Sequence, residues 1–464
     1  MRHRAGARIV LLLVAVVLTP ALLFAHAMLK RSSPAAKAVL AASPTVIGLW
    51  FTETPELRAT RVLLVDSAGR ETPLTKVSRD SVDRSGVLAE VPLPLADGAY
   101  TVKWRTAAAD GHASSGSFSF SVRTQASAAG APAVTATPAI PRPDTARAAA
   151  ERSTSDAGTP IMRVFEFLAL LSVIGAVVFQ RVVGPNAQLD GASGPARRFT
   201  QVMLAVLVVT LLARLFGEAA TLGMSADGMS VSAARSTVFG TSWGHGWLVG
   251  AGGALLAAAG LALARQTEAG WKLVWIGVAA LVVYPAMTGH AAASADHRFL
   301  AVAADTVHVA AVGTWLGTLF VIGAVGVPVA MRYGSGPSGT RVAFLVRAFH
   351  PVALVAVVAV VLSGATSAWL RLGALAPLWQ SSYGRIVLFK ICALLILTAL
   401  GALNSRVLIT RLSRPSGVPS LRRSVAAELV LGGLVIIATA LLVSTQPPTS
   451  LPTTPSASSA SGSP

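Results

Sequence analysis

Two histidines and one aspartate stand out in the first quarter of the chain: His26, Asp110 and His112. Between residues 26 and 123 there are no other histidines. If His26 were the first residue of a mature chain, its α-amine and imidazole could grip one metal ion as a chelate. A second imidazole, from His112, and a carboxylate, from Asp110, would complete an N,N,N,O set. Such a tetragonal set favours Cu(II) among common metals. On a strand, residues two apart point to the same face, so Asp110 and His112 could reach one ion. The plain alternative is that Asp110-Gly111-His112 is a turn and that a histidine near a processing site is there by chance.

A second group lies in the apolar part of the chain. Glu218, His245, Met287, His290, His297, Asp305 and His308 fall near the ends of long apolar runs. Ionisable groups inside membrane spans are costly and point to function by default. Met287 with His290, and Asp305 with His308, are three apart and share a helical face. Histidine with methionine suits copper, the thioether favouring Cu(I). Met224 and Met229 sit in another loop on the same side. Against this, residues near helix ends often simply meet headgroups and water. His350 and Glu428 lie toward the other side, as an exit path, a satisfied buried pair or two unrelated polar residues. Arg214 with Glu218 could be a structural i,i+4 ion pair.

Composition says what must position these residues. The chain has 464 residues, 53% of them hydrophobic and only 12% charged, which points to membrane spans. The net charge of +18 is spread over short loops between apolar runs, so nucleic-acid binding is not expected. One cysteine, Cys392, excludes an internal disulfide or a C-x-x-C motif. Arg2, Arg4 and Arg8 precede an apolar stretch from Ile9 to Phe24, the form of a secretory signal peptide over residues 1–25. Ala25-His26-Ala27 is itself an A-x-A signal, and a cut after Ala27 would remove His26. A cut after Ala25 puts Leu23 at the minus-three position, which is less favoured.

Residues 26–123 alternate in short runs, at 46–51, 61–65, 87–91, 99–105 and 117–122, separated by Gly-containing turns. That pattern predicts an all-β sandwich of immunoglobulin type. Residues 124–160 are an Ala/Pro/Ser/Thr-rich linker. Eight apolar runs follow, at 162–183, 199–222, 241–264, 271–288, 300–329, 343–370, 385–410 and 424–444. Each is near the length of a membrane-crossing helix, ~20 residues. They predict an all-α bundle of eight transmembrane helices over 161–446, with a disordered tail over 447–464. Arg181, Arg197, Arg198, Arg265, Lys272, Arg332, Arg341, Arg406, Arg411, Arg414, Arg422 and Arg423 fall on one side. Arg235, Arg298 and Arg371 fall on the other. By the positive-inside rule both chain ends and the β domain are outside the cytoplasmic membrane.

His26-Ala-Met-Leu, Ser33-Pro-Ala, Leu49-Trp-Phe-Thr-Glu53, Gly98-Ala-Tyr-Thr-Val-Lys-Trp-Arg105, Asp110-Gly-His112 and Gly116-Ser-Phe-Ser-Phe120 together resemble the CopC family of exported copper-binding sandwiches. The resemblance implies Cu(II) ligands at His26, Asp110 and His112, and cleavage after Ala25. With Met28 as the sole methionine of this part, no Met-rich Cu(I) site is expected. Gly289-His-Ala291, His308-Val-Ala-Ala-Val-Gly-Thr-Trp-Leu-Gly317, Tyr383-Gly-Arg-Ile-Val-Leu-Phe-Lys390 and Glu428-Leu-Val-Leu-Gly432 resemble the CopD family of copper-resistance membrane proteins. Thr318 stands where that family usually has a second Gly.

A fusion of these parts implies copper uptake across the cytoplasmic membrane. The sandwich would capture Cu(II) and pass it to a membrane domain whose copper could be Cu(I). No enzymatic activity is expected, and no Walker A motif is present. Copper and the lipid bilayer are the expected partners. A reductase or metallochaperone could serve the hand-over, and the oligomeric state is left open. Two other classes compete: a haem-binding membrane redox protein, with His308 and His350 as axial ligands, and a copper sensor or store without transport.

Overall fold

The computed structural model describes residues 29–108, 113–123, 158–222, 231–293, 297–332, 338–408 and 417–443. The first twenty-eight residues, the Asp110-Gly-His112 stretch, residues 124–157 and the tail after residue 443 lie outside that set. The described chain divides into two compact units.

One unit is a β-sandwich. Its strands are β1 (Leu29–Ser33), β2 (Val39–Leu40), β3 (Val46–Phe51), β4 (Arg61–Val65), β5 (Glu71–Pro73), β6 (Val77–Arg79), β7 (Gly86–Glu90), β8 (Gly98–Ala107) and β9 (Ala113–Val122). They form a four-stranded sheet, β1-β3-β7-β6, and a five-stranded sheet, β2-β9-β8-β4-β5. The five strands expected from alternation are present. Of four more, β2, β5 and β6 have two or three residues, too few to show a period, and β1, Leu29-Lys-Arg-Ser-Ser33, has a single apolar residue.

The core follows from the alternation. Val62 and Leu64 of β4, and Val102 and Trp104 of β8, point inward against Ile47, Leu49 and Phe51 of β3. Phe51 meets Trp104 edge-on, with ring centroids 5.1 Å apart, a favourable aromatic arrangement. At the other face of β3, Trp50 Nε1 donates to Asp80 Oδ2 at 2.9 Å, and the Arg31 guanidinium lies 3.7 Å from the Trp50 ring centroid. The Asp80 carboxyl is held below its ordinary value, first by the Val82 backbone N–H and next by Trp50.

The second unit has eight helices long and apolar enough to cross a membrane: α1 (Pro160–Asn186), α2 (Ser193–Ala220), α3 (Ser242–Leu263), α4 (Glu268–Met287), α5 (Arg298–Arg332), α6 (Thr340–Leu372), α7 (Ser382–Arg406) and α8 (Arg423–Val443). These are the eight runs expected from hydropathy. Large apolar side chains such as Val355, Leu362 and Leu395 face outward, as a lipid-facing surface requires. Short helices at Val231–Gly240, His290–Ala293 and Pro377–Gln380 fill the connections.

Helix α1 is the most enclosed of the eight, and it meets α5 at glycine. A Cβ added at Gly317 would overlap the Leu171 carbonyl, and one at Gly175 would overlap the Gly317 backbone. Small residues let membrane helices approach backbone to backbone in this way. The α5 side of this crossing is a π-helical turn, Gly313–Gly317.

Candidate metal centres

In the sandwich, the structure describes the frame around the expected copper ligands and not the ligands. β8 and β9 pair through to Ala107↔Ala113, so Asp110 and His112 belong to the connection between them. β1 opens at Leu29, paired with Phe51, three residues after His26. Four residues beyond Phe51, Pro55 bridges to Ala108, and Glu56 N–H donates to Ala107 O at 2.8 Å. Thr60 and Thr106 hydroxyls hydrogen-bond beneath at 2.7 Å. The start of β1 and the β8–β9 connection therefore sit at one end of the sandwich, although more than eighty residues separate His26 from His112.

In the helical unit, most of the remaining candidates gather at one end. Gly246 packs against Met287 and Thr288, so the start of α3, with His245, lies beside the end of α4. His290 opens the short helix that follows. His297, with φ 57°, precedes the first residue of α5, and its left-handed backbone turns the chain into that helix. Glu218 closes α2, whose Leu211 carbonyl accepts from Trp247 Nε1 of α3 at 2.8 Å. His245 and His297 are exposed, and Glu218 and Met287 are half-buried. Among the described residues no three His, Cys, Asp or Glu side chains converge as a metal cluster.

Asp305 and His308 differ from the rest because the interior holds both. Ser367 Oγ donates to Asp305 Oδ1 at 2.8 Å, and Arg371 is ion-paired with Asp305 Oδ2. Arg371 also hydrogen-bonds the Tyr383 hydroxyl of α7. Asp305 is thus neutralised by its own partner and is not a free carboxylate. His308 Nδ1 meets Ser363 Oγ at 3.1 Å, and Ser363 directs its own hydrogen to the Ala359 carbonyl at 2.6 Å. That assigns the ring proton to Nδ1 and leaves the lone pair on Nε2, the form in which imidazole binds metals.

His308 and His350 do not share a haem. His308 contacts Ser363, which is thirteen residues from His350 on α6, about 20 Å along the helix. Axial ligands of one iron would have to meet across a single porphyrin.

Several charged groups with tertiary roles escape a reading of the sequence. Glu166 is fully buried in α1 and accepts from Arg214 Nη1 at 2.8 and 3.0 Å. Arg214, which the spacing pairs with Glu218, thus reaches across to α1. Glu166 could have been found as the one acid within the first apolar run. Arg371 reads as a loop residue, and nothing local ties it to Asp305.

At the other end of the bundle Arg181 meets Glu268 at 3.2 Å, and Arg197 donates to the Leu261 carbonyl. The ends of α1 and α3 and the starts of α2 and α4 therefore lie together, as the charge pattern of the loops implied.

The chain matches known families along most of its length. Residues 29–123 match the CopC domain, residues 154–298 the copper resistance protein D-like N-terminal domain, and residues 343–442 copper resistance protein D. It is 27% identical over 450 residues to the copper transport protein CutJ of Bacillus subtilis (strain 168), covering 95% of this chain and 77% of that one. It is 36% identical over 116 residues to copper resistance protein C of Xanthomonas campestris pv. juglandis, covering 24% of this chain and 91% of that one. Among solved structures, CopC from Methylosinus trichosporium OB3b is 30% identical, with a TM-score of 0.20, covering 22% of this chain and 96% of that one.

Proposed function

Because this chain belongs to the copper transport and resistance family that joins a CopC domain to CopD domains in one polypeptide, we propose that it imports copper across the cytoplasmic membrane. The sandwich, outside the membrane, captures Cu(II) through the α-amine and imidazole of His26, the carboxylate of Asp110 and the imidazole of His112. Copper then passes to the helical unit at the end that carries His245, Met287, His290 and His297. His308, with its Nε2 lone pair, continues the path inward. Asp305 serves to hold Arg371 and Ser367 in place and does not ligate.

The observation that carries this reading is the joining, in one chain, of a CopC domain to eight membrane-length helices, with similarity to a copper transport protein over 95% of the chain. The position of β1 and the β8–β9 connection at one end of the sandwich supports the ligand set. A tethered donor raises the local copper concentration at the mouth of the membrane unit, as linked modules do. The cationic ends of α1 to α4 face the cytoplasm on the positive-inside rule.

Cellular copper content at limiting copper, with and without the gene, tests the direction. A fall on deletion means import, and a rise means efflux and overturns the proposal. Unchanged content would leave a sensor or store. His26→Ala and His308→Ala should each lower accumulation in complemented cells.

A further inference from the structure

About 20 Å along α6 from Ser363, helices α5 to α8 line a half-open cavity of about 170 Å³, with Glu428 and Asn404 buried at its inner wall and His350 exposed at its rim. A water's share of liquid volume is about 30 Å³, so the space suits a partly hydrated ion. Most of its wall is apolar. Its polar side chains come from three helices: His350 of α6, Asn404 of α7 and Glu428 of α8, with Thr398 and Ser405 at the margin. Among the described residues no Lys or Arg lines it.

Glu428 and Asn404 are each 5% exposed. Asn404 Nδ2 donates to Glu428 Oε1, which fixes the amide with its oxygen turned away. That oxygen, Asn404 Oδ1, is buried and has no hydrogen-bond partner among the described residues. A buried carboxylate without a counter-cation and a buried carbonyl without a donor are both costly. One cation in the cavity would satisfy the two at once. Asn404 also opens a π-helical turn, Asn404–Leu408, a distortion that recurs at functional sites. Thr398 and Ser405, which also line the cavity, spend their hydrogens on the Leu394 and Ala402 carbonyls, at 2.7 and 3.1 Å, which leaves their oxygens as acceptors only.

We propose that this cavity is a second cation site, taking a divalent transition-metal ion through the Glu428 carboxylate, the Asn404 carboxamide oxygen and the His350 imidazole. The donors are nitrogen and oxygen, with no Cys or Met among the described lining residues, a set suited to Cu(II) and not to Cu(I). Only the identity of the ion as copper cargo rests on the transport reading above.

The test uses the full-length protein in detergent, with His26→Ala and His112→Ala silencing the exported site, titrated with Cu(II) and followed by electron paramagnetic resonance and equilibrium dialysis. The silenced protein should still bind Cu(II). Glu428→Gln, which keeps the shape and the Asn404 hydrogen bond, should weaken one equivalent by at least about tenfold, the scale on which even outer-shell partners act. His350→Ala should remove nitrogen coupling from its spectrum. Asn404→Asp should tighten binding, an outcome that a merely structural asparagine would not produce. The inference is overturned if the silenced protein binds no Cu(II), or if Glu428→Gln and His350→Ala leave affinity and spectrum unchanged. A wild-type protein that binds no more Cu(II) than the silenced one would refute the exported site and leave the cavity standing.

Discussion

Arg371, in the last turn of α6, is ion-paired with Asp305, in the second turn of α5. The two side chains are 21% and 23% exposed, and Ser367 and Tyr383 complete their hydrogen bonds. The pair turns a candidate ligand into a clasp between two helices, and it leaves His308, one turn further along α5, as the free donor.

Breaking that clasp from one side strands a charge. Arg371→Ala should destabilise the helical unit by about 3 kcal/mol. Asp305→Asn with Arg371→Gln together should recover most of the loss. Thermal unfolding in detergent of the two single variants and the double variant checks this. A double variant destabilised by the sum of the two single losses would mean that the pair contributes little.

The mature N-terminus decides the exported copper site. Edman sequencing or mass spectrometry of the membrane-inserted protein should find His26 first. A chain that begins at Met28 lacks the chelating amine and imidazole, and its Cu(II) affinity should match that of His26→Ala.

The glycine crossing of α1 and α5 tolerates no side chain on either face. Gly317→Ala should reduce the yield of folded protein and cost upward of about 1–3 kcal/mol, because the neighbour is backbone and cannot rotate away. Gly252→Ala, on α3 with open space around it, is the control and should be tolerated. Size-exclusion profiles and melting temperatures of the two variants make the comparison.

Acid should loosen the sandwich in a defined direction. Asp80 has a folded-state pKa below its ordinary 3.8, so its stabilising contribution is full above that value and fades as pH falls through the lower, folded one. Asp83 shifts the same way, chiefly through the Ser85 hydroxyl and then the Ser85 N–H. Asp80→Asn should flatten the acid limb of stability. Hydrogen exchange of the β3 and β7 amides in the full chain, measured against pH, reads it.

Much of the architecture was legible because it rests on local periodicity. Val102-Lys-Trp104 alternates in and out as a half-buried strand must, and each membrane helix announces itself by twenty or so apolar residues. The small strands β2 and β6 were not legible, since two or three residues carry no period. The site divides the same way. His308 showed itself as an ionisable group in an apolar run. Its orientation depends on Ser363, 55 residues later, just as Asp305 depends on Arg371 at 66 and Glu166 on Arg214 at 48. Nothing in a helix's own composition indicates which distant helix will neutralise its charge. Asn404 passed unnoticed because an isolated amide has no signature until its oxygen is seen without a donor.

Gly175 and Gly317 have a consequence for how the membrane half can move. Side-chain contacts between helices have rotamers, and rotamers allow sliding. A backbone-to-backbone contact has no such freedom, so α1 and α5 behave as a single beam through the bilayer. Helices α6 and α8 meet α5 at side chains instead, as at Gly364 against His308 and Gly432 against Leu316, contacts that can adjust where the α1–α5 crossing cannot.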